Sequence, residues 1–364
     1  MPAPADAARP QAAQPEPPRV LEPEPPDPAA PTAAAAPADT ADLADGLRVV
    51  GDRKGLSIEE HRQGGKLDGT RRISRGGLLV LEEVYRDGVL HGPWRVLRQD
   101  GGVRAEGRYQ NGQQGGVFRS YYSNKKLAEL ENFHEGRRNG ERVVYRRSGA
   151  VEWRGHYLDG FEHGVFIHYD GRGKERGRFT MIKGTGTWRT WHDSGRPASE
   201  EERADGLAHG RHRQWSPSGQ LRIDGNYERG QRHGTWSQWH ASGKLARSEG
   251  YEHGRLHGDY RSYHQGGQPA VVCQYLAGQL EGEFVEHYAN GIQAVVAHYK
   301  RGLREGQAVQ RFPNGQVAER SHWQGGLLHG PFEAFDESGA TTASGDYHHG
   351  RRAGTWRGPA SSGQ

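Results

Sequence analysis

Histidine is the residue type in this sequence with the most chemistry to offer. The chain holds 20 of them, and six stand immediately before the second glycine of a recurring G-x-x-x-G segment: His91, His163, His209, His233, His257 and His329. A metal centre or a general base needs several such groups converging on one point with chelating spacing. These six recur instead at one position of a repeating unit, a hairpin apart, which is roughly 10 Å in strand geometry. That separation is too large for a shared ion and predicts a role in turns or surface packing. His348-His349 is an exposed adjacent pair and a weak metal candidate at best. The single cysteine, Cys273, has no partner for an internal disulfide and no motif supplying a base beside it. It is expected to be a small buried filler. The G-x-x-x-G segments neither open a helix nor carry Gly-Lys-Ser/Thr, so a phosphate-cradling loop is not expected. No catalytic residue, metal ligand or cofactor is expected, and the chain reads as non-enzymatic.

The elements that carry these residues form an internal repeat. The second glycine of G-x-x-x-G falls at Gly69, Gly92, Gly116, Gly140, Gly164, Gly186, Gly210, Gly234, Gly258, Gly282, Gly306, Gly330 and Gly354. Ten of the twelve intervals span 24 positions; one spans 23, and Gly164 to Gly186 spans 22 because the loop is shorter by two. Gly92, Gly116, Gly140, Gly164, Gly210, Gly234, Gly258, Gly282, Gly306 and Gly330 are assigned as structural turn glycines. With that glycine as position zero, +2 is often aromatic, as in Trp94, Phe118, Phe166 and Trp236, and +9 is nearly always glycine. Ser-Gly or Asn-Gly at +8/+9 predicts a two-residue type I′ turn joining strands at about +1 to +7 and +10 to +17. Paired positions then sum to 17, which places +2 opposite +15, a glycine at Gly107, Gly155, Gly225 and Gly345. An aromatic ring covering a cross-strand glycine stabilises a sheet. Positions +11, +13, +15 and +17 share one apolar face, as in Leu221, Ile223, Gly225 and Tyr227.

Position +5 is aromatic as well, at Tyr121, Tyr145, Tyr169, Trp191, Trp215, Trp239 and Tyr263. Its parity opposes that of +2. Two placements are open: a bulge returns these rings to the core, or they form an aromatic ladder on the exposed face. In the second case the seven residues are candidate partner contacts, since exposed rings beside arginine make good interface anchors.

Composition agrees with thin β architecture. Only 33% of the 364 residues are hydrophobic, while glycine numbers 55, too little apolar volume for packed helical domains. Residues 1–45 hold 12 of the 19 prolines, eight acids and two arginines, and such a segment cannot offset its ordering entropy. The expected organisation is therefore a disordered Pro/Ala-rich acidic tail over 1–45, a repeat array over 46–358 and a short C-terminal tail over 359–364. The tail's charge of −6 leaves about +10 on the rest of a +4 chain. No run approaches membrane-spanning length. No signal-peptide core follows Met1, and the compartment stays open: cytoplasmic, or periplasmic or secreted if an export signal has been removed. The fold class is all-β: an elongated, open, single-layer antiparallel sheet or solenoid of about twelve hairpin repeats.

The stretch Tyr227-x-x-Gly230-x-x-His233-Gly234-x-Trp236 resembles the MORN repeat, and more closely its bacterial variant class, whose members are often described as antitoxins. The resemblance covers roughly residues 46–358; it departs from the standard pattern where Trp236 replaces a usual glycine. It implies stacked β-hairpins, no catalytic residues, and service as a protein-interaction or assembly module. The partner expected is a protein, a toxin or effector included. An anionic lipid or a cell-wall glycan stands as an alternative. Nucleic acid is disfavoured by the lack of lysine clusters, and nothing points to a small-molecule substrate.

Overall fold

The computed structural model describes residues 45–51 and 55–358. Residues 1–44 of the expected acidic tail, and residues 359–364, lie outside them. Among the described residues there is no helix, and the strands form one open 30-stranded sheet in which each runs antiparallel to its neighbours. Among the described residues the chain meanders, each hairpin pairing with the next.

The Gly210 unit shows why these residues make this hairpin. Strands Leu207–Trp215 and Leu221–Glu228 pair as Gly210↔Tyr227, His212↔Gly225 and Gln214↔Ile223. These pairs follow the expected register. The register then slips by one residue, to Trp215↔Leu221. The slip leaves room for a longer turn than the two-residue one expected at +8/+9. Ser216 N donates to Gln220 O and Gly219 N to Ser216 O, each at 2.8 Å, and within this loop only Gly219 has a positive φ, 89°. This is a three-residue loop ending in a left-handed glycine, so the expected type I′ turn is corrected at this position.

The type I′ turn occurs at the other end of the hairpin, at −5/−4. Arg229 and Gly230 have φ values of 48° and 80°. Both turn amides are held by the preceding unit. Gly230 N donates to Ala208 O at 2.7 Å, and Arg229 N to His209 Nδ1 at 3.4 Å. A non-glycine residue in the left-handed region costs roughly 1 kcal/mol or more, and this cross-unit hydrogen bond offsets part of it. The same contact recurs with a different acceptor at −1: Asp68 Oδ2 accepts from Asp87 N at 3.1 Å, His163 Nδ1 from Lys183 N at 3.3 Å, and Glu281 Oε2 from Arg301 N at 2.7 Å. Four of the recurring histidines, His91, His163, His209 and His329, are therefore turn acceptors. On the opposite sheet edge, side chains at +6 donate to the +5 carbonyl of the next unit: Tyr122 to Tyr145 at 2.5 Å, His192 to Trp215 at 2.8 Å and His240 to Tyr263 at 3.0 Å.

Between hairpins the zero glycine opens a wide bulge. Asp224 pairs with Ser237 and Asn226 with His233, so three residues, Gly234–Trp236, stand opposite Gly225. The bulge swings the +2 ring toward the preceding strand. The Trp94↔Gly107 register is as expected, but the ring over Gly107 is Phe118 of the following unit. A Cβ on Gly107 would sit 2.3 Å from Phe118, one on Gly155 2.1 Å from Phe166, and one on Gly225 2.3 Å from Trp236. The expected cover of ring on glycine is real, and it joins units instead of closing one.

Candidate functional site

The array has two chemically distinct faces. Positions +2, +4, +13, +15 and +17 make the aromatic face. Trp236, Phe166 and Met181 are fully buried there, and its densest patch is Tyr157, Phe166, Phe179 and Met181 with Trp153, Trp188 and Trp191 packed against it. That patch lies in and beside the shortened unit between Gly164 and Gly186. At Glu131 and Glu201 position +15 is instead a glutamate, and the following +2 carries a basic partner. Glu131 meets Arg142 at 3.3 Å and Glu201 meets His212 at 3.3 Å. Some boundaries between units thus use a ring on glycine, and these two use a carboxylate on a basic group. Burial pushes the Glu201 carboxyl up, but hydrogen bonds and charge from His212 and Arg203 outweigh it and leave the group below its ordinary range.

The charged face carries +1, +3 and +14. Arg189 and Arg213, from successive units, flank Glu200 at 3.1 and 2.7 Å, and Arg211 grips Asp224 with two bonds of 3.0 and 2.8 Å. Such exposed pairs contribute roughly 0–1 kcal/mol each; they engage these arginines locally and leave the net positive charge of the array unchanged.

All seven +5 rings are half-buried. Trp215 lies under Arg213, whose guanidinium carbon is 5.3 Å from a ring centroid, Tyr169 lies 5.9 Å from Arg154, and the Tyr121 hydroxyl donates to Glu106 at 2.7 Å. These partners sit at +3 and +14, so the three rings stand on the charged face despite the register slip beside them. Trp191 differs. Its ring is 5.3 Å from His168 and 6.4 Å from Phe179, on the aromatic face, where the shortened unit has drawn it into the core. Shallow recesses open between adjacent hairpins; one of about 330 Å³ is lined by Gly234, Thr235, Ser248, His257, Asp259 and Arg261.

Cys273 occupies +15, buried at 3% exposure, as expected for a filler in the place of glycine. Burial pushes its thiol up to about 11, far from the range of a reactive thiolate. A thiol reagent at pH 8 is expected to label the native chain at least about 100-fold more slowly than the chain in denaturant; equal rates would show that this position is open.

The −1 histidines do not meet one another. His91, His163, His209 and His329 reach the turn 20 positions downstream, while His233 and His257 face Glu228 and Glu252; at His329 that turn brings two imidazoles, His348 and His349, close to the ring. The sequence signal was present, but the repeat period compares equivalent positions and hides a contact between positions −1 and −5.

No curated protein matches the chain. Among solved structures, one described as a eukaryotic initiation factor is 10% identical, with 84% of this chain and 89% of that chain covered and a TM-score of 0.20. Another, described as TcdB2-TccC3-Cdc42, is 10% identical over 84% of this chain and 20% of that one, with a TM-score of 0.16. Overlap at these scores says nothing about shared function. MORN repeats generally serve as protein- or membrane-binding modules. Three segments of the chain, residues 114–135, 208–229 and 232–253, match the MORN repeat variant, and each match runs from position −2 to +19 of the unit described above.

Proposed function

We propose that the chain is a non-enzymatic scaffold that holds a protein partner along the charged face, with the +5 rings as anchors. The observation that carries this reading is the placement of Tyr121, Tyr169 and Trp215 on that face, half-buried and each beside an arginine or glutamate. Rings fixed by packing lose little freedom on binding, and flanking charges orient a partner. Tyr145, Trp239 and Tyr263 occupy the equivalent position and extend the ladder; Trp191 does not contribute to it. Recesses between hairpins, such as those lined by Thr235 and Arg261 and by Arg95 and Arg119, offer the partner's side chains places to enter. A toxin is one form such a partner takes, given the variant class that the repeat resembles. The anionic-membrane reading is weakened by the ion pairs that already engage Arg189, Arg211 and Arg213.

The test is affinity capture with the full chain and with a Tyr169→Ser, Trp215→Ser, Trp239→Ser variant, followed by mass spectrometry. Proteins held by the native chain are expected to lose roughly tenfold or more in affinity, since interface rings dominate binding energy. The variant's thermal transition should stay cooperative. An unchanged set of captured proteins at unchanged affinity would remove the +5 ladder from the function.

A further inference from the structure

We propose that His329, His348 and His349 bind a divalent cation of the zinc class, and that the ion clips the last described hairpin to the unit before it. The geometry follows from the turn contact already described. In unit after unit, the side chain at −1 reaches the backbone amide of the left-handed residue at −5 of the next unit. Where that contact is made, it fixes where the two residues stand. In the Gly330 unit the acceptor is His329, the left-handed residue is His349 with φ 48°, and the residue before it is His348. Three imidazoles therefore converge where other units have one or two.

The ring centroids are 5.0 Å apart for His329 and His348, 4.9 Å for His329 and His349, and 4.5 Å for His348 and His349. One nitrogen from each ring lies within 4.8 Å of the others, and no other such trio of His, Cys, Asp or Glu occurs among the described residues. Three nitrogens about 2.0–2.1 Å from a tetrahedral ion stand about 3.3 Å apart. Closing to that distance takes small rotations of exposed side chains. His348 and His349 are exposed and His329 is half-buried, so the rings have that freedom and an ion has a path from solvent. Neutral imidazoles suit Zn²⁺, Cu²⁺ and Ni²⁺, and three of them leave a fourth position for water. Arg351, cross-strand from His348, is a neighbouring positive charge and holds the affinity to a moderate range.

The comparison site inside the array lacks this arrangement. His233 and His253 are 6.4 Å apart, and His233 Nδ1 lies instead 3.5 Å from Glu228. The bond that the ion competes with is also the weakest of its kind. His329 Nδ1 accepts from His349 N at 3.5 Å, against 3.3 Å at His163 and 3.4 Å at His209. Ligation replaces that long hydrogen bond with metal bonds spanning strand Leu327–Phe335 and the turn after strand Thr341–His348. Among the described residues strand Arg351–Arg357 pairs with Thr341–His348 alone, so a clip here acts where opening is easiest.

The experiment uses the full chain without an affinity tag, titrated with Zn²⁺ against a chromophoric chelator. One Zn²⁺ per chain with a micromolar dissociation constant is expected. His329→Gln and His348→Ala should each weaken binding by about tenfold or more, at least the cost of losing an outer-shell partner, while His233→Ala leaves it unchanged. In hydrogen exchange, Zn²⁺ should slow the amides of strands Thr341–His348 and Arg351–Arg357 about tenfold in the native chain and not in His348→Ala. Absence of saturable binding, or binding indifferent to both cluster substitutions, would overturn the site. Binding that depends on the cluster but leaves exchange unaltered would overturn the clip.

Discussion

Trp236→Ala is expected to divide the array into two separately melting parts. The indole is 2% exposed, lies 4.9 Å from Tyr227 and 5.7 Å from His212, has Arg232 4.5 Å from a ring centroid, and donates from Nε1 to Asn226 O at 2.9 Å. Truncating a buried aromatic costs about 3–5 kcal/mol. In a stacked array that loss falls on one interface between neighbours and is not shared by the whole molecule. Urea unfolding should therefore change from one broad transition to two, with the Gly210 and Gly234 units on either side of the break. The mechanism has its own check. Gly225 has no left-handed φ, so Gly225→Ala is permitted by the backbone, and the nearest obstacle is the Trp236 ring 2.3 Å from the new carbon. Overpacking of this kind costs about 1–3 kcal/mol, and the cost should largely vanish when Trp236 is already alanine. Strict additivity of the two substitutions would show that ring-on-glycine contact is not what couples the units.

The second large effect is an acid softening centred on the shortened unit. His168 is packed against Trp153, 6.2 Å away, and Trp191, 5.3 Å away, and its Nε2 is buried without a hydrogen-bond partner. Burial, with Arg176 and Arg146 adding repulsion, holds its imidazole down at about 4. The folded chain thus keeps His168 neutral where the unfolded chain, with an ordinary value near 6.5, takes up a proton. No stability is lost on this account above about pH 6.5; below it, stability falls as pH drops toward 4. At most about 3 kcal/mol is at stake, at about 1.4 kcal/mol for each tenfold change in proton affinity. Unfolding of the native chain and of His168→Phe at pH 7 and pH 4.5 checks this. The variant should lose about 2 kcal/mol less between the two conditions, the share of that difference reached by the lower pH. A His168 resonance titrating near its ordinary value in NMR would sink the prediction.

These two sites show the division between what was readable in one dimension and what was not. The repeat period, the all-β sheet and the pairing of +2 with +15 follow from local rules, because glycine placement and alternation constrain each hairpin by itself. Cys273 was readable for the same reason, since its parity alone puts it on the apolar face. The turn assignment was half right. The motif needs one two-residue and one three-residue turn, and both carry glycine, so dipeptide type could not say which was which. The one-residue slip at Trp215 decided it.

The +5 residues mark the limit more sharply. Tyr169 and Trp191 hold the same position in the repeat, and they stand on opposite faces. The two positions missing upstream of Gly186 shift that unit enough for Phe179 and His168 to accept the Trp191 ring. The trio of His329, His348 and His349 was hidden in the same way, because its members come from neighbouring units at unlike positions and a period compares like with like. Sequence by itself determined the unit, its strands and the absence of helical packing, since those depend on near neighbours along the chain. Only the tertiary structure decided which unit each ring leans on, which face each +5 ring takes and which histidines meet, because side chains in a stacked sheet find their partners across the unit boundary.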